Sequence, residues 1–210
     1  MHDEIEIRAE RPEERLATES LVREAFWNVY RPGCLEHFVL HEFRSRPEFC
    51  PALNLLLIRH GEIIGQAMYV KNVLRTSSQE ELPILTLGPI CIHPAHQRKG
   101  FGKLLLDQSL VLAAETEAVG VFLEGNVGFY GKSGFVVAST MGVHYMDEPA
   151  DEPVPYFLGK ELKAGVLQGL PTQYHVPEGY FVDEKLAEEF DRQFPPKERL
   201  RLPGQLFSGA

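Results

Sequence analysis

Two cations and two glycines stand close together in the segment Gln97-Arg98-Lys99-Gly100-Phe101-Gly102. This segment follows an apolar run, residues 84–92, that is typical of a strand, and it precedes an apolar run with helical spacing. The first N–H groups of a helix lack intrahelical acceptors and carry partial positive charge, and glycine lets a ligand approach the backbone closely. Arg98 and Lys99 add formal positive charge. The segment therefore predicts an anion site, for a phosphate or a pyrophosphate.

The segment differs from two familiar phosphate-binding loops. A Walker loop needs Gly-Lys-Ser/Thr at a fixed spacing, and a dinucleotide fingerprint needs a third glycine after Gly-x-Gly. Residues 97–105 contain neither pattern. The predicted phosphate loop is therefore of a different type.

The composition is that of a globular chain of 210 residues, long enough for one full core, with 44% hydrophobic and 24% charged residues. Lys and Arg number 21 and Asp and Glu 30, so the net charge is −9, which argues against nucleic acid as a partner. No run approaches the roughly 18 apolar residues of a membrane helix. The charged N-terminus has no apolar signal core. We therefore expect a cytoplasmic protein without a membrane partner.

The three cysteines, Cys34, Cys50 and Cys91, are widely spaced and form no Cys-x-x-Cys pair. This pattern supports neither a disulfide framework nor a zinc ribbon, and no metal site is predicted.

The hydrophobic patterning predicts a mixed α/β fold, with hairpin strands early and β–α–β order later. Gly88-Pro89 interrupts one apolar run and predicts a bulge or a splay, because proline cannot donate to a strand ladder. Glu124 lies inside an apolar strand, where the pattern offers no physical reason for a carboxylate. The predicted strands are 4–10, 84–92, 120–126, 134–140 and, as the last core strand, 156–163. Two further predicted strands flank a turn at 59–62. The predicted helices are 10–27, 35–47, 102–118 and 183–194, and 141–155 is predicted to be a loop.

Two segments resemble motifs of the GNAT superfamily of acyl-CoA-dependent N-acyltransferases. Residues 97–102 resemble its Gln/Arg-x-x-Gly-x-Gly/Ala signature. Residues 125–135 resemble a degraded form of the Gly-Asn/Asp-Pro-x-Tyr-Tyr-x-Arg-Phe-Gly-Phe segment found in a bacterial and archaeal branch. Val127 replaces the proline, Phe129 the first tyrosine and Lys132-Ser133 the Arg-Phe pair, whereas Tyr130 is retained. The resemblance covers roughly residues 5 to 165.

The resemblance implies a mostly antiparallel central sheet, splayed between two parallel strands and flanked by helices. It implies an acetyltransferase domain over residues 1–165, with residues 166–210 as an extension packed on the core. It also implies acetyl-CoA as co-substrate. The implied cofactor-binding residues are Ile90, Cys91 and Ile92 for the pantetheine arm, Gln97, Arg98, Lys99, Gly100, Phe101, Gly102 and Lys103 for the pyrophosphate, and Asn126 and Tyr130.

The implied reaction is direct attack of a primary amine, from a small molecule or a peptide, on the thioester. A backbone N–H of Ile92 or Cys91 would stabilise the oxyanion, and Tyr130 would give a proton to the departing thiolate. Glu36 or His37 is the candidate base or acceptor contact. The net charge of −9 fits a cationic acceptor loosely.

Three alternatives stay open. The chain could be a catalytically weak acyl-CoA-binding or sensing module, because residues 127–133 depart from the family motif. It could be an enzyme that uses a nucleotide in place of coenzyme A. A homodimer is an open alternative to a monomer.

Overall fold

The computed structural model describes residues 4–145, 148–149 and 152–206, and its nine strands belong to one mixed sheet. The strands are β1 Ile5–Ala9, β2 Leu55–Arg59, β3 Glu62–Thr76, β4 Glu81–Ile92, β5 Gly120–Glu124, β6 Val136–Val137, β7 Val143–Tyr145, β8 Phe157–Glu161 and β9 Thr172–Tyr174. The α-helices are α1 Arg15–Phe26, α2 Glu36–Phe43, α3 Phe101–Ala114, α4 Val127–Tyr130 and α5 Glu184–Asp191.

The chain forms two compact units. The first takes in the chain up to Met68, the segment Pro89–Leu105, and the chain from Glu178 onwards. The second comprises Tyr69–Gly88 and Leu106–Pro177. Strands β3 and β4 each contribute residues to both units.

In the first unit, β1 pairs antiparallel with β2, and β2 pairs antiparallel with the start of β3. The turn between β2 and β3 is His60-Gly61, with φ values of 51° and 81°. Positive φ at both central residues suits the right-handed twist of a two-residue hairpin. The turn predicted at 59–62 is therefore confirmed. Helices α1 and α2 contact each other, and α5 contacts α2.

In the second unit, β4 runs parallel to β5, with Leu85 opposite Val121 and Thr86 opposite Phe122. The described part of the ladder ends at Thr86, just before Gly88-Pro89. The interruption predicted at that dipeptide is thus confirmed as the end of the parallel pairing. Further along, β5 pairs antiparallel with β8, and β8 pairs antiparallel with β6.

Three predicted elements were wrong. The interval 141–155 contains β7, which pairs parallel with β9, although residues 146–147 and 150–151 lie outside the described chain. Because β9 follows β8, residues 156–163 are not the last core strand. Only Val136–Val137 is strand within 134–140, and a 3-10 turn, Ala138–Met141, follows it. Strands of two or three residues carry too little periodicity to be read locally.

The segment after residue 165 contributes to both units. Residues 172–174 form β9 in the second unit, where β9 also pairs with β3. Helix α5 lies in the first unit.

Candidate active site

The predicted phosphate loop links β4 to α3 in the first unit. A 3-10 turn at Pro94–His96 is followed by Arg98 at φ 59° and Gly100 at φ 89°, and α3 begins at Phe101. A Cβ at Gly100 would meet nothing within 4 Å, so glycine is favoured there by backbone conformation and not by space.

Hydrogen bonds made by the loop's own side chains hold its shape. Gln97 Nε2 donates to the Ile92 carbonyl at 3.0 Å, and Lys99 Nζ donates to the Ala95 carbonyl at 2.8 Å. The Arg59 guanidinium lies 5.4 Å from the ring centre of Phe101, the first residue of α3. These contacts therefore hold the conformation of the loop.

The loop leaves backbone donors available to a ligand. Within the described chain, no acceptor is found for the N–H groups of Arg98 to Gly100. The first intrahelical bond nearby runs from Leu104 N–H to the Gly100 carbonyl at 3.0 Å. Phe101 and Gly102 occupy the first helical positions, where N–H groups have no intrahelical acceptor. Together with the exposed Arg98 and Lys99, these groups form a site suited to an anion.

The end of β4, Ile90 to Ile92, leads directly into this loop. His93 N–H donates to the Ile64 carbonyl at 2.8 Å, and a Cβ on Gly65 would lie 2.6 Å from Ile92 Cδ1. Burial raises the pKa of the Cys91 thiol to about 12, and the nearby negative charge of Glu36 adds to the rise. Cys91 is therefore a neutral, buried thiol and not a nucleophile.

Glu36 begins α2 and lies within electrostatic reach of Cys91, so the first unit brings this candidate base towards the end of β4. Its carboxylate accepts a hydrogen bond from Leu35 N–H at 2.9 Å. Burial raises the pKa of Glu36, and this effect outweighs the Leu35 bond and the positive charge of Arg31. A carboxyl group whose pKa is raised towards neutrality is a better proton acceptor than an ordinary one.

His37 lies in a different environment from Glu36. Its side chain is fully buried, with Nδ1 3.3 Å from Cys34 Sγ and Nε2 3.1 Å from Asp191 Oδ1, the latter without hydrogen-bond geometry. The rings of Phe190 and Phe194 lie 5.5 and 5.4 Å from the imidazole, centre to centre.

The order cysteine, histidine, aspartate is that of a nucleophile, its base and the acid that orients the base. Burial, however, raises the pKa of Cys34 above its usual range and lowers the pKa of His37 to about 4. Both groups are therefore neutral and shielded from solvent. Asp191 is held by two hydrogen bonds from Arg23, at 2.6 and 3.1 Å. The arrangement joins α5 to α1 and α2, and it leaves His37 fully buried.

Asn126 and Tyr130 lie in the second unit, just after β5. Asn126 Oδ1 caps the single turn of α4 by accepting from Gly128 N–H at 2.7 Å. The Tyr130 ring lies directly on Gly125, where a Cβ would come within 2.3 Å of Tyr130 Cε2. Phe135 supports the ring from a T-shaped position at 5.8 Å. Gly125 thus fixes the orientation of Tyr130 by leaving room for its ring.

Sequence reasoning found no role for Glu124, but the structure gives this residue a partner. Tyr145 Oη donates to Glu124 Oε1 at 2.6 Å. The available signal was a carboxylate at the end of an apolar strand. Its partner lies in a segment that was predicted to be a loop.

Residues 4–145, 148–149 and 152–206 are the part of the chain that the structure describes. No group of three or more His, Cys, Asp or Glu side chains there is arranged to hold a metal ion. No helix in that part of the chain is both long and apolar enough to cross a membrane.

Comparisons with known proteins give a family match for part of the chain. Residues 52–137 match the family model described as acetyltransferase (GNAT) domain. This interval contains both the predicted phosphate loop and the Asn126–Tyr130 segment, and the match confirms the resemblance drawn from them. No curated protein sequence matches the chain significantly.

Solved structures show the same fold. The GNAT family N-acetyltransferase YhbS from Escherichia coli, in complex with CoA, superposes with a TM-score of 0.73 at 17% identity, over 87% of this chain and 94% of its own. A GNAT family acetyltransferase from Brucella melitensis, in complex with acetyl-CoA, gives 0.63 at 23% identity, over 83% and 98%. Ard1 from Thermoplasma volcanium gives 0.51 at 18% identity, over 75% and 97%. At these identities the likeness concerns the fold, and it confirms the predicted fold class.

Proposed function

Because this chain carries a GNAT acetyltransferase domain over residues 52–137, we propose that it transfers the acetyl group of acetyl-CoA to a primary amine of a small molecule or peptide. The observation that carries the proposal is the loop at the start of α3, with its available N–H groups and two exposed cations. Coenzyme A presents a pyrophosphate, the anion that such a loop suits. The Escherichia coli and Brucella melitensis structures contain CoA and acetyl-CoA.

In this proposal three segments of the chain contact the cofactor. The N–H groups and cations of residues 97–103 bind the pyrophosphate, and the backbone of Ile90 to Ile92 binds the pantetheine amides. Asn126 has its Oδ1 committed to the α4 cap. It therefore offers its Nδ2 donor to the pantetheine arm.

In the chemical step the chain must accept the amine proton, stabilise the oxyanion and protonate the thiolate. The amine nitrogen attacks the thioester carbonyl carbon, and the carbon–sulfur bond breaks. A backbone N–H of Cys91 or Ile92 stabilises the oxyanion. Tyr130 donates a proton to the departing thiolate. A free tyrosine has a pKa near 10 and a thiol about 8.5, so full proton transfer costs roughly 2 kcal/mol. Tyr130 therefore first donates a hydrogen bond and transfers its proton late.

Glu36 is the better of the two candidate bases. An attacking amine must lose a proton, and a carboxyl group with a raised pKa accepts it more readily than an ordinary one. The pKa of Glu36 is raised by burial, whereas the same cause lowers the pKa of His37 to about 4 and leaves it a weak base. Glu36 accordingly takes the amine proton, and His37 has a structural role.

The proposal is tested by measuring free CoA thiol released from acetyl-CoA in the presence of a panel of primary amines. Wild-type protein should release CoA in an amine-dependent reaction. The Tyr130→Phe variant should lower kcat by about 100-fold, within the usual contribution of a general acid, with little change in the KM for acetyl-CoA. Amine-independent release in the wild type would contradict the proposal.

A thermal unfolding series with acetyl-CoA, CoA, ATP and NAD separates the alternatives. A ligand present at 100 times its Kd adds about 2.7 kcal/mol to the unfolding free energy. Stabilisation by the CoA compounds without any turnover would identify a binding or sensing module. Stabilisation by ATP or NAD alone would identify an enzyme that uses a different phosphate ligand.

The role of Glu36 predicts a pH dependence. Activity requires the carboxylate form, so kcat should fall as the pH drops through the pKa of Glu36, which burial raises above its usual range. Glu36→Gln should lose this acidic limb and at least 100-fold in kcat. Glu42→Gln, on the same helix, is the matched control. It should keep the acidic limb of the pH profile and the wild-type kcat. An unchanged limb in Glu36→Gln would show that another group is the base.

A further inference from the structure

Glu124 ends β5 with an exposed carboxylate, and it is the one ionisable residue of that strand. Tyr145 Oη donates to its Oε1 at 2.6 Å. No described side chain or backbone group donates to Oε2. One carboxylate oxygen is thus oriented by a protein group, and the other is available to a ligand.

The carboxylate has no cationic partner in the described chain: no Lys, Arg or His nitrogen lies within salt-bridge distance. Burial raises the pKa of Tyr156, and the negative charges of Glu124 and Glu148 raise it further. The region around Tyr156 is therefore electronegative. An unpaired carboxylate in such a region favours the binding of a cation.

The hydrogen-bond partner of this carboxylate, Tyr145, belongs to a cluster of aromatic rings. The Tyr145 ring stacks on Tyr174 at 5.9 Å and meets Phe157 edge to face at 4.9 Å, centre to centre. Tyr156 meets Tyr145 edge to face at 6.2 Å and is 48% exposed. The negative face of an exposed aromatic ring attracts ammonium groups. Glu124, Tyr145 and Tyr156 thus combine a carboxylate with aromatic surface, as an organic cation requires.

The chain connects this group of residues to the proposed proton donor. Gly125, next to Glu124, donates its N–H to the Tyr156 carbonyl at 2.7 Å, and the Tyr130 ring rests on the same glycine. A ligand bound to the carboxylate would therefore lie beside the residue that orients Tyr130.

We infer that Glu124, Tyr145 and Tyr156 hold a second, non-reacting cationic group of the acceptor. The inference rests on the proposed acetyl transfer and specifies its substrate class, a primary amine that carries another positive charge. A carboxylate partner favours the protonated form of an ammonium group. Such a carboxylate would oppose attack by the reacting nitrogen, which must lose its proton. It stabilises a second amine that stays charged.

The experiment uses acetyl-CoA and two pairs of matched acceptor series. One pair of series is the α,ω-diamines from diaminopropane to diaminooctane and the amino alcohols of equal length. The other is lysine-containing dipeptides and their norleucine counterparts. Wild-type protein should prefer the dicationic members of one pair, which also shows whether the second charge belongs to a small molecule or to a peptide.

Glu124→Gln should lower kcat/KM for the preferred dication by about 10- to 100-fold, the effect of losing a hydrogen bond between charged groups. It should change kcat/KM for the singly charged partner by less than about twofold. Tyr156→Leu should cost the dication about two- to fivefold, as expected for an exposed cation–π contact. Glu115→Gln, which removes one exposed negative charge before β5 begins, should leave both values unchanged.

Three results would overturn the inference. Glu124→Gln could leave the preference for the dication intact, or wild-type protein could show no such preference. Equal loss of kcat for both members of a pair, with loss of an acidic limb in the pH profile, would make Glu124 the base instead.

Calorimetric titration of the CoA-loaded protein with the same diamines and dipeptides does not depend on turnover. If the wild type binds a dication without any transfer, and Glu124→Gln weakens that binding, the proposed function fails while the binding site stands. If no dication binds in a manner that depends on Glu124, the inference fails even where transfer is observed.

Discussion

Gly125→Ala tests how the fold orients Tyr130, because the added methyl group would occupy space that the ring now fills. The new Cβ would lie 2.3 Å from Tyr130 Cε2 and 2.8 Å from Cδ2, whereas ordinary contacts begin at 3.4 Å. The ring must therefore withdraw by about 1 Å. A hydrogen bond of ordinary length from the hydroxyl group would be stretched beyond its useful range by a shift of that size.

The expected loss follows from that displacement. Misplacement of a catalytic group by about 1 Å can cost about 100-fold in rate, which is comparable to removing a general acid. We therefore expect kcat of Gly125→Ala to fall about 100-fold, close to the value of Tyr130→Phe. The KM for acetyl-CoA should change by less than about threefold. The crowding should also cost about 1–3 kcal/mol of unfolding free energy.

The measurement is steady-state kinetics with the best amine found in the panel, together with thermal unfolding to show that the variant is folded. Gly131→Ala is the matched control in the same segment. Its backbone has φ −58°, and its Cβ would meet only Val127 Cγ2, at an ordinary 3.7 Å. It should retain wild-type kcat.

The double variant Gly125→Ala/Tyr130→Phe decides whether the effect passes through the ring. If it does, the double variant should be no slower than Tyr130→Phe alone. Full additivity of the two losses, or a wild-type kcat in Gly125→Ala beside a slow Tyr130→Phe, would refute the reasoning.

Three other predictions concern the first unit. Gly100→Ala should weaken CoA binding in calorimetric titration, because alanine at φ 89° carries backbone strain of about 1 kcal/mol. Gly61→Ala, with φ 81° and equally open space, is the control and should lose stability but not CoA affinity. Equal losses of CoA affinity in the two variants would contradict a role for the loop. Burial lowers the pKa of His37 to about 4, so below pH 6.5 the unfolded chain binds a proton that the folded chain does not, and about 3 kcal/mol of unfolding free energy should be lost between pH 6.5 and 4. Urea titrations should show a pH slope smaller by one proton in His37→Leu, and an identical slope would refute this assignment. The hydrogen bonds from Arg8 lower the pKa of Glu14 to about 2, so Glu14→Gln should cost about 1 kcal/mol at neutral pH, and the difference from wild type should vanish as the pH falls from 4.5 to 2.

Local features of the site could be predicted from the sequence because neighbouring residues form them. The loop at 97–102 combines residues that favour a turn, a glycine at positive φ and the first turn of a helix, all within a few positions. The hairpin at 59–62 is local in the same way. Short strands paired over a distance, such as β7 and β9, escaped prediction because their stability comes from the partner strand and from burial.

The candidate base also shows what the sequence predicts and what only the tertiary structure adds. Glu36 and His37 are neighbours on α2, and nothing in their spacing distinguishes them. The fold separates their roles by burying His37 against Asp191 and two phenylalanine rings while it keeps Glu36 within electrostatic reach of Cys91. Packing thus decides which of two adjacent titratable groups is the better candidate base.

By itself, the sequence predicted the family resemblance, the fold class and an anion-binding loop, since these predictions depend on residue types at short, fixed spacings. Only the tertiary structure decided that Tyr130 lies on Gly125, that Tyr145 orients Glu124, and that Cys34 and His37 are neutral. The physical reason is that ring contacts, carboxylate partners and the desolvation of ionisable groups are set by residues that folding brings together from distant parts of the chain.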